Sequence, residues 1–480
     1  MFRLNGRVRV RTFAIGLAAF GVVLAAVGAA GAAPAHRGSA KAITLTIEAN
    51  AVVGGKNDLE ASWITNYIIP NFEKQMAAAG TPVDVKFQGS GAADEAYKTQ
   101  LALDLKTGGG PDVFDIDDIW VGEFAQAGYI KPLTQTVGSS VNNWDGWSQI
   151  PKAVRADMSF GGQQYGVPTG PDGRVIYYNK DLFKQAGLPT KWQPKSWADI
   201  LATARKLKAK LPNVTPLQWN AGTAMGEATT AQGFLPLLAG TGKLIYDTPQ
   251  KKWLGNTQNI REVLSFYQQV YKGKPQLGDP DLQLRADGRD RSFQEFSKGQ
   301  IAMLTEGDYL WRSVINPKVG IDPMPSRDSA IGWALIPAMR PHTGVQGPAF
   351  KKPQSFVSLS GGGGRVINPH TSHAKEAWAL LTFMNSKDAW LKYVATQPRI
   401  TPRTDVNKAT LFTDPLLGYV ARNVLPITTY RPGFAVYPQV SVLLQLASQQ
   451  VVAGTSVQKA AQNYQKALVK LVGAKNVETS

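Results

Sequence analysis

The chain has 480 residues, 43% of them apolar, and a formal net charge of +17. This length exceeds what one hydrophobic core usually organises, so we expect more than one domain. The sequence contains no cysteine, which excludes disulfides, thiolate metal sites, a cysteine nucleophile and lipidation of a cysteine. The basic residues are scattered singly rather than gathered in an arginine-rich helix, so we interpret them as solvated surface and expect no nucleic-acid partner.

The N-terminal segment has the composition of a secretion signal. Four arginines precede the apolar run TFAIGLAAFGVVLAAVGAAGAA, and small residues near positions 30–35 offer cleavage sites. We predict a cleaved signal peptide at residues 1–35 and a periplasmic or secreted protein. The alternative is an uncleaved membrane anchor, because residues 12–33 are just long enough to span a bilayer. Cleavage would remove four arginines and no acid, so the net charge would fall from +17 to +13.

Short β-rich runs then alternate with amphipathic helical runs. The strands are predicted at ITLTIEA (43–49), VDVKFQG (83–89) and DVFDI (112–116), with helices near 59–79 and 92–107 between them. This order indicates an α/β fold with a mostly parallel sheet, in which ligands lie at the carboxyl ends of the strands.

A second series of elements begins near GVPTGPDGRVIYYNKDLF (166–183). Ser196 and Asp199 have the spacing of a capping box, Asn256 or Thr257 is expected to begin another helix, and Ser292 in SFQE is expected to cap a third. Four glycines at 361–364 precede a further strand and helix, and a long helical tail ends the chain.

GGGPDVFDIDDIW (108–120) places four aspartates within seven positions. Because strand side chains alternate, Asp115 and Asp117 point to one face while Asp112 and Asp118 point to the other, so they cannot form one site. Asp112 is predicted as a turn or capping residue and Asp115 as buried structural polarity. Asp117 and Asp118, with Trp120 just beyond them, are predicted to bind ligand; the alternative is that they cap the following helix.

Metal and cofactor sites are not predicted. His370 and His373 are spaced like a helical metal pair, but they have no acidic or cysteine neighbour in sequence, and we interpret them as a capped helix start. The chain also lacks the phosphate-binding, dinucleotide-binding and nucleophile-elbow motifs. We therefore expect neither a cofactor nor catalysis.

Four segments in order resemble the extracellular solute-binding proteins that feed ABC importers, in particular the carbohydrate-binding group that includes maltose- and trehalose-binding proteins. They cover almost the whole chain from about residue 43 to residue 472. The segments are GGGPDVFDIDDIWVGEFAQAGYIKPL; YGVPTGPDGRVIYYNKDLFKQAGLP with KSWADI; FSKGQIAMLTEGDYLW; and SLSGGGGRVINPHTSHAKEAWALLTFMNS leading to ITPRTDV.

The resemblance implies a two-lobed periplasmic-binding-protein fold, with three crossings between two α/β lobes and a ligand cleft between them. The first lobe is expected at 43–167 plus 340–401 and the second at 168–339 plus 402–480. Ligand would bind between the lobes, which would close over it by hinge motion.

The resemblance also implies further ligand contacts at loops that face the cleft. A sugar needs carboxylates that accept from its hydroxyls, amides or arginines that donate, and aromatic faces for stacking. Trp311 competes with Tyr309 for the stacking role. The additional candidates are Asn50, Asp172, Arg174, Trp219, Asn220, Glu306, Tyr309, Gly361, Gly362, Arg403, Tyr430 and Arg431.

The implied function is binding a mono-, di- or oligosaccharide and delivering it to ABC permease subunits, as a monomer. Two alternatives remain at this point. The cleft could take another polar solute such as a polyol, glycerol phosphate or polyamine, or the protein could be a glycan-active hydrolase. Hydrolysis would need two carboxyl groups that flank the scissile bond about 5 to 10 Å apart, which adjacent Asp117 and Asp118 do not naturally supply.

Overall fold

The computed structural model describes residues 42–346, 352–410 and 413–479. The predicted signal peptide at residues 1–35 lies outside these ranges. No helix in the described ranges combines the length and the apolar character that crossing a membrane requires.

Strands and helices alternate along the described chain, as the sequence pattern predicts. The strands are β1 (Ile43–Ala49), β2 (Val83–Gly89), β3 (Val113–Asp117), β4 (Ser159–Phe160), β5 (Gln163–Gln164), β6 (Gly166–Pro168), β7 (Arg174–Asn179), β8 (Tyr246–Asp247), β9 (Lys252–Leu254), β10 (Met303–Gly307), β11 (Ile331–Ala334), β12 (Ile336–Pro337), β13 (Phe356–Ser360), β14 (Gly363–Ile367), β15 (Thr428–Tyr430) and β16 (Val477–Glu478).

The helices connect these strands and cover the sheets. The α-helices are α1 (Asp58–Trp63), α2 (Ile69–Ala78), α3 (Asp94–Lys106), α4 (Asp118–Ala127), α5 (Leu133–Thr136), α6 (Lys152–Ala156), α7 (Lys180–Gln185), α8 (Trp197–Lys210), α9 (Leu235–Gly240), α10 (Gln258–Tyr271), α11 (Pro280–Leu284), α12 (Gly288–Ser297), α13 (Arg327–Ala330), α14 (Ala374–Met384), α15 (Lys387–Thr396), α16 (Thr404–Thr410), α17 (Pro415–Tyr419), α18 (Tyr437–Val452) and α19 (Val457–Val472). A π-helical turn at Ile64–Ile68 joins α1 to α2.

The first lobe is built on a five-stranded sheet in the order β2-β1-β3-β14-β6. β1 is parallel to β2 and β3, while β14 is antiparallel to β3 and β6. Leu45 and Ile47 of β1 are buried in one apolar cluster with Phe72 of α2, Leu380 of α14 and Trp390 of α15. The alternating apolar pattern of β1 therefore places one face of the sheet in the lobe's core.

The second lobe contains the three-stranded sheets β10-β7-β11, β12-β13-β15 and β16-β9-β8. Every residue of β7 is buried, as expected for a central strand that is covered on both faces. β7 is antiparallel to β10 and β11, and β13 is antiparallel to β12 but parallel to β15.

Between β6 and β7 and between β13 and β14 the chain passes from one sheet to another. The predicted lobe boundaries stay a prediction, and we propose two changes to them. β13 pairs with strands of the second lobe, so the second crossing belongs at about residue 361 rather than 340. Val406 of α16 belongs to the apolar cluster of the first lobe, so we assign α16 to the first lobe.

Two of the predicted helix starts are confirmed and one is wrong. The Asp199 amide donates to Ser196 Oγ at 3.2 Å, and the Lys195 amide donates to the Asp199 carboxylate at 2.8 Å. The Ile260 amide donates to Thr257 Oγ1 at 3.4 Å before α10. Ser292 lies inside α12, which begins at Gly288, and its hydroxyl donates to the Arg289 carbonyl within the helix.

Asp112 joins three parts of the first lobe, in agreement with its predicted structural role. Its carboxylate accepts hydrogen bonds from the Thr46 amide at 2.7 Å and from the Thr46 hydroxyl at 2.8 Å. It also accepts from the Thr371 hydroxyl, in the loop before α14. One carboxylate therefore ties β1, the start of β3 and this loop together.

We expect Asp112→Ala to lower the free energy of unfolding by about 3 kcal/mol, because it leaves partly buried donors on Thr46 and Thr371 without their acceptor. Asp84→Ala is the matched control, since Asp84 pairs with Lys86 on the surface of the same sheet and should cost less than about 1 kcal/mol. Urea unfolding followed by circular dichroism measures both. Equal losses in the two variants would contradict the structural role of Asp112.

Candidate functional site

The facing edges of the lobes carry the polar residues of the site. β1 ends before Asn50, β3 ends at Asp117, and β6 ends before Thr169. Because β14 runs antiparallel to β3, its first residue, Gly363, lies opposite Asp117 at the same edge. The strand directions thus bring residues far apart in sequence to one side of the cleft.

The second lobe supplies the opposite wall in the same way. Arg174 begins β7 and pairs in register with Gly307, the last residue of the antiparallel strand β10. β13 and β15 run parallel and end together, with Ser360 opposite Tyr430. Asp172, Gly361 and Arg431 follow or precede these strand ends directly, which explains why they enter the cleft region.

Two adjoining cavities occupy the cleft, with volumes of about 300 Å³ and about 450 Å³. The first is lined by aromatic as well as polar side chains, including Tyr97, Trp120, Tyr309 and Tyr393. Among the described residues, the lining of the second is polar and aliphatic without an aromatic ring, and it includes several carboxylates and arginines. The residues common to both walls are Asp94, Asp117, Thr169, Arg312, Gly362, Gly363 and Arg399.

Arg431 binds carboxylates from both sides of the cleft. Its Nη2 lies 2.8 Å from Asp117 Oδ1 and also contacts Asp118 Oδ1. Its Nη1 lies 3.4 Å from Glu227 Oε1. The Arg431 side chain is 4% exposed, so these carboxylates provide the compensation that a buried guanidinium requires.

Glu227 is itself held by α18. The Tyr437 hydroxyl donates to Glu227 Oε1 at 2.8 Å, and the Ser441 hydroxyl donates to Oε2. Nearby, α4 approaches the loop before α18 closely: a Cβ added to Gly122 would lie 3.0 Å from the Gly433 carbonyl oxygen and from the Ala435 nitrogen. Only glycine allows this spacing without displacement, so the two lobes pack tightly beside the Arg431 cluster.

Asp117 and Asp118 differ in protonation although they are adjacent. Burial opposes ionisation of both, but the charge of Arg431 and hydrogen bonds from Asp118 and the Ile119 amide hold the pKa of Asp117 below its usual range. Burial dominates at Asp118 and raises the pKa of that carboxyl well above its usual value. Asp118 is therefore the more readily protonated member of the pair.

The two aspartates also differ in access to the cavities. The Asp117 side chain is 35% exposed and lines both cavities. Asp118 is 9% exposed and lines neither of them. Asp117 also caps α4, since its Oδ1 accepts from the Ile119 amide at 3.3 Å, so the helix-capping interpretation and a place at the cleft both apply to it.

Asp172 and Arg174 form a second ion pair at the first crossing. The buried Arg174 guanidinium contacts Asp172 Oδ1, and its Nε donates to Gln232 Oε1 at 2.6 Å. The Gly361 amide also donates to Asp172 Oδ1, at 2.8 Å. A Cβ on Gly361 would lie 2.8 Å from Arg431 and 3.1 Å from Arg174, so a glycine here lets two arginines approach the backbone.

Three further candidates lie behind the cleft wall rather than on it. Glu306 is 1% exposed and accepts from Arg289 at 3.1 Å on both oxygens. Asn220 donates to Glu306 at 3.2 Å and is buried. Trp219 is fully buried, and its indole donates to the Gly233 carbonyl at 3.2 Å. None of the three lines either cavity in this structure.

The aromatic candidates differ in whether they line the cleft cavities. Tyr309 lines the first cavity, whereas Trp311 is 1% exposed and donates from its indole to Asp414 at 2.9 Å. Trp120 is 5% exposed, but part of its surface reaches the first cavity. Tyr430 is exposed and lies outside the two cleft cavities. The geometry therefore favours Tyr309 over Trp311 as the stacking residue.

Asn50 lines the first cavity, whereas Arg403 lies away from the cleft. Asn50 donates to Asp94 at 3.0 Å, while its buried side-chain oxygen accepts no hydrogen bond from the described residues. Arg403 instead binds Asp405 at 2.8 Å and the Asn385 carbonyl at 3.2 Å, away from both cavities.

Several cleft residues were missed by sequence reasoning. Asp94 and Glu95 begin α3 and line the second cavity; their position just after a strand could have indicated them. Glu227, Arg312 and Arg399 had no comparable local signal, because side-chain contacts between distant segments bring them to the wall.

Asp115 pairs with Arg365, whose Nε lies 2.9 Å from Asp115 Oδ1, but its side chain is 22% exposed and lines the first cavity. The predicted structural role and a place at the cleft therefore both apply to it. Burial raises the pKa of Asp115 to about 7, against the opposing charges of Arg365 and Arg399.

Asp157 faces the other side of the Arg431 cluster. Burial raises the pKa of Asp157 to about 7, and the negative charges of Asp172 and Asp117 raise it further, while the charge of Arg431 opposes the rise.

No group of three or more His, Asp or Glu side chains in the described ranges is arranged to hold a metal ion. The His370 amide donates to Asn368 Oδ1 at 2.9 Å and the His373 amide donates to Thr371 Oγ1 at 3.1 Å. These contacts order the turn before α14, as expected for a helix start.

Comparison with known proteins gives one family. Residues 57–389 match the family of bacterial extracellular solute-binding proteins. A putative binding protein of Brucella abortus is 22% identical over 298 residues, which span 62% of this chain and 64% of that protein. The sn-glycerol-3-phosphate-binding periplasmic protein UgpB of the same species is 25% identical over 219 residues, 44% of this chain and 48% of that protein. The chain thus aligns with less than two thirds of each relative.

Solved structures of similar shape cover nearly all of the chain. An ABC transporter solute-binding protein from Thermotoga lettingae TMO has a TM-score of 0.69 and 24% identity over 89% of this chain and 100% of that one. The T. maritima protein MalE3 has a TM-score of 0.68 and 20% identity over 90% and 100%. These similarities show the two-lobed fold.

The unequal protonation of the aspartate pair gives a prediction. Asp118→Asn keeps a donor beside Asp117, so we expect it to change the free energy of unfolding by less than about 1 kcal/mol. Asp117→Asn removes the anion that faces Arg431, so we expect a loss of about 3 kcal/mol. Urea unfolding at pH 7.5 compares them, and a larger loss in Asp118→Asn would contradict the proton assignment.

Asp157 gives a prediction for pH dependence. Because its pKa is raised to about 7, the native state keeps a proton that the unfolded state releases, and stability falls as pH rises toward 7. Asp157→Asn removes this dependence. Its stability relative to the original protein should therefore increase by about 2 kcal/mol between pH 5 and pH 8.

Thermal unfolding across this pH range tests the change at Asp157. Asp145→Asn is the control, because Asp145 is exposed; its difference from the original protein should stay constant with pH. A constant difference for Asp157→Asn as well would show that Asp157 is ionised at pH 5.

Proposed function

The chain belongs to the family of bacterial extracellular solute-binding proteins, and from this premise we propose that it binds a sugar between its lobes and delivers it to an ABC importer. The single observation that carries the proposal is the wall of the first cavity. It combines polar side chains that can bind hydroxyls, Asp117 and Asn50, with the aromatic residues Trp120 and Tyr309.

A sugar needs both kinds of group at once. Its hydroxyls donate well to an ionised carboxylate, and the charged acceptor strengthens each hydrogen bond. Its CH faces pack against aromatic rings, which supply apolar contact without removing the hydroxyls from their partners. Asp117 is suited to this role because Arg431 holds it ionised while part of its side chain stays open.

Structural relatives support a carbohydrate or polyol ligand. The Thermotoga lettingae protein was solved with alpha-D-tagatose and MalE3 with maltose. A protein from Agrobacterium radiobacter K84 was solved with ribitol, and its TM-score to this chain is 0.66 at 20% identity over 89% of this chain and 98% of that one. These ligands belong to those proteins, and the proposal for this chain rests on its own cavity wall.

Closure of the cleft would be coupled to ligand binding. Arg431 of the second lobe already pairs with Asp117 at the edge of the first, so a ligand that binds Asp117 also engages this contact between lobes. We propose that the closed form, with ligand enclosed, is what permease subunits in the membrane recognise. In this proposal the protein acts as a periplasmic or secreted monomer after removal of residues 1–35.

A phosphorylated polyol is the second candidate, because the chain aligns with glycerol-phosphate-binding relatives. The charge arrangement disfavours it. Arg174, Arg289, Arg312 and Arg431 each have a carboxylate partner, so little positive charge is left for a dianion. A hydrolase is also disfavoured, because Asp117 and Asp118 share one arginine rather than flanking a space for a glycosidic bond.

A thermal-shift screen tests the proposed function. Neutral mono-, di- and oligosaccharides, polyols, glycerol 3-phosphate and spermidine are added to the purified protein, and a bound ligand raises the melting temperature by mass action. We expect a sugar to stabilise the protein. Asp117→Ala should lower the affinity of that sugar at least about 10-fold, whereas Asp84→Ala on the outer surface should leave it unchanged.

Stabilisation by glycerol 3-phosphate or spermidine without any response to sugars would show that the ligand class is wrong. Release of product from a glycan or a chromogenic glycoside would show instead that the protein is an enzyme.

A further inference from the structure

Arg399 differs from the other arginines in the cleft wall. Arg174, Arg289, Arg312 and Arg431 pair with Asp172, Glu306, Asp308 and Asp117, respectively. Arg399 forms no salt bridge within the described ranges, and its Nε is buried without a hydrogen-bond partner there. It nevertheless lines both cleft cavities.

Aromatic rings hold the Arg399 side chain in this position. Its guanidinium carbon lies 5.6 Å from the ring centres of both Trp390 and Tyr393, and the Tyr393 hydroxyl interacts with it as well. Stacking on aromatic faces orients a guanidinium without neutralising it. The N–H groups of Arg399 are therefore ordered before a ligand binds.

Two carboxylates on which the charge of Arg399 acts already have other partners. Arg399 acts electrostatically on Asp115 and Asp308, but Asp115 lies 2.9 Å from Arg365, and Asp308 lies 3.0 Å from Arg312. Neither forms a salt bridge with Arg399. A cation that is partly withdrawn from water without a counterion is unfavourable, and an anionic ligand group would remove that cost.

Carboxylates line the cavities around Arg399, and their repulsion favours a ligand group with a single negative charge there. Asp94 and Asp117 line both cavities, and Glu95 lines the second. A phosphate monoester would bring nearly two charges into this environment, whereas a carboxylate brings one and matches the planar guanidinium fork. A carboxylate is thus the better fit.

We propose that the cleft takes a sugar acid, with its hydroxyls and ring face at Asp117, Asn50 and Tyr309 and its carboxylate on Arg399. This inference rests on the proposed function, because it specifies which sugar class the same cleft accepts. It identifies Arg399 as the residue that selects an acidic over a neutral sugar.

Isothermal titration calorimetry tests the proposal with matched pairs: D-glucuronate against D-glucose, and D-galacturonate against D-galactose, with digalacturonate and glucose 6-phosphate added. The full mature protein should bind at least one uronate about 30-fold or more tighter than its neutral counterpart. Arg399→Gln should reduce that uronate to the affinity of the neutral sugar and leave the neutral sugar within about 3-fold.

Two further variants separate charge from folding. Arg399→Lys keeps the charge, so it should retain part of the preference for the uronate even if Arg399→Gln folds poorly. Arg155→Gln is the matched control, because Arg155 also stacks on an aromatic ring, at 4.4 Å from the Trp147 centre, but outside the two cleft cavities. It should leave both affinities unchanged.

The outcomes distinguish this inference from the proposed function. Equal binding of neutral and acidic sugars, tightest binding of glucose 6-phosphate, or an equal loss of both sugar types in Arg399→Gln would overturn the role of Arg399 but retain a sugar-binding cleft. If no sugar of any kind bound, both the inference and the proposed function would be overturned.

Discussion

The buried guanidinium of Arg431 lies between carboxylates of both lobes, Asp117 and Asp118 at the start of α4 and Glu227 across the cleft. A buried cation without such partners would be strongly unfavourable, so this contact requires the two lobes to keep their edges together. Tyr437 and Ser441 fix Glu227 from behind. The position and ionisation of Asp117, and with them the shape of the cavities, depend on this cluster.

Other positive charges in the cleft are also paired, since most arginines at its wall form a salt bridge with a carboxylate. The walls are consequently rich in polar groups while carrying little uncompensated charge. This suits a ligand that forms many directed hydrogen bonds, because preorganised ion pairs offer fixed acceptors and donors without needing to rearrange. Arg399 is the exception, since it forms no salt bridge with the residues that the structure describes, and our proposal of an acidic ligand rests on this difference.

Much of the fold could be predicted from local patterns. The strands near residues 43, 83 and 113 follow from β-branched and alternating apolar residues, and the start of α8 follows from the spacing of Ser196 and Asp199, which is a purely local interaction. The separation of the aspartates in DVFDIDD also followed from alternation alone. Asp112 binds Thr46 and Thr371, whereas Asp115 and Asp117, which alternation places on the same face, both line the first cavity.

The site was less predictable, because the same residue types serve packing and binding. Trp219 and Arg403 have the chemistry of ligand contacts, yet one is enclosed by the core of the second lobe and the other is bound to Asp405. Arg399, only four residues before Arg403, reaches both cavities. Sequence determined the family, the order of elements and the strand ends at which polar residues collect, since these depend on short-range patterns. The tertiary structure decided which charges are neutralised and which face the cleft, because each ion pair joins segments distant in the chain.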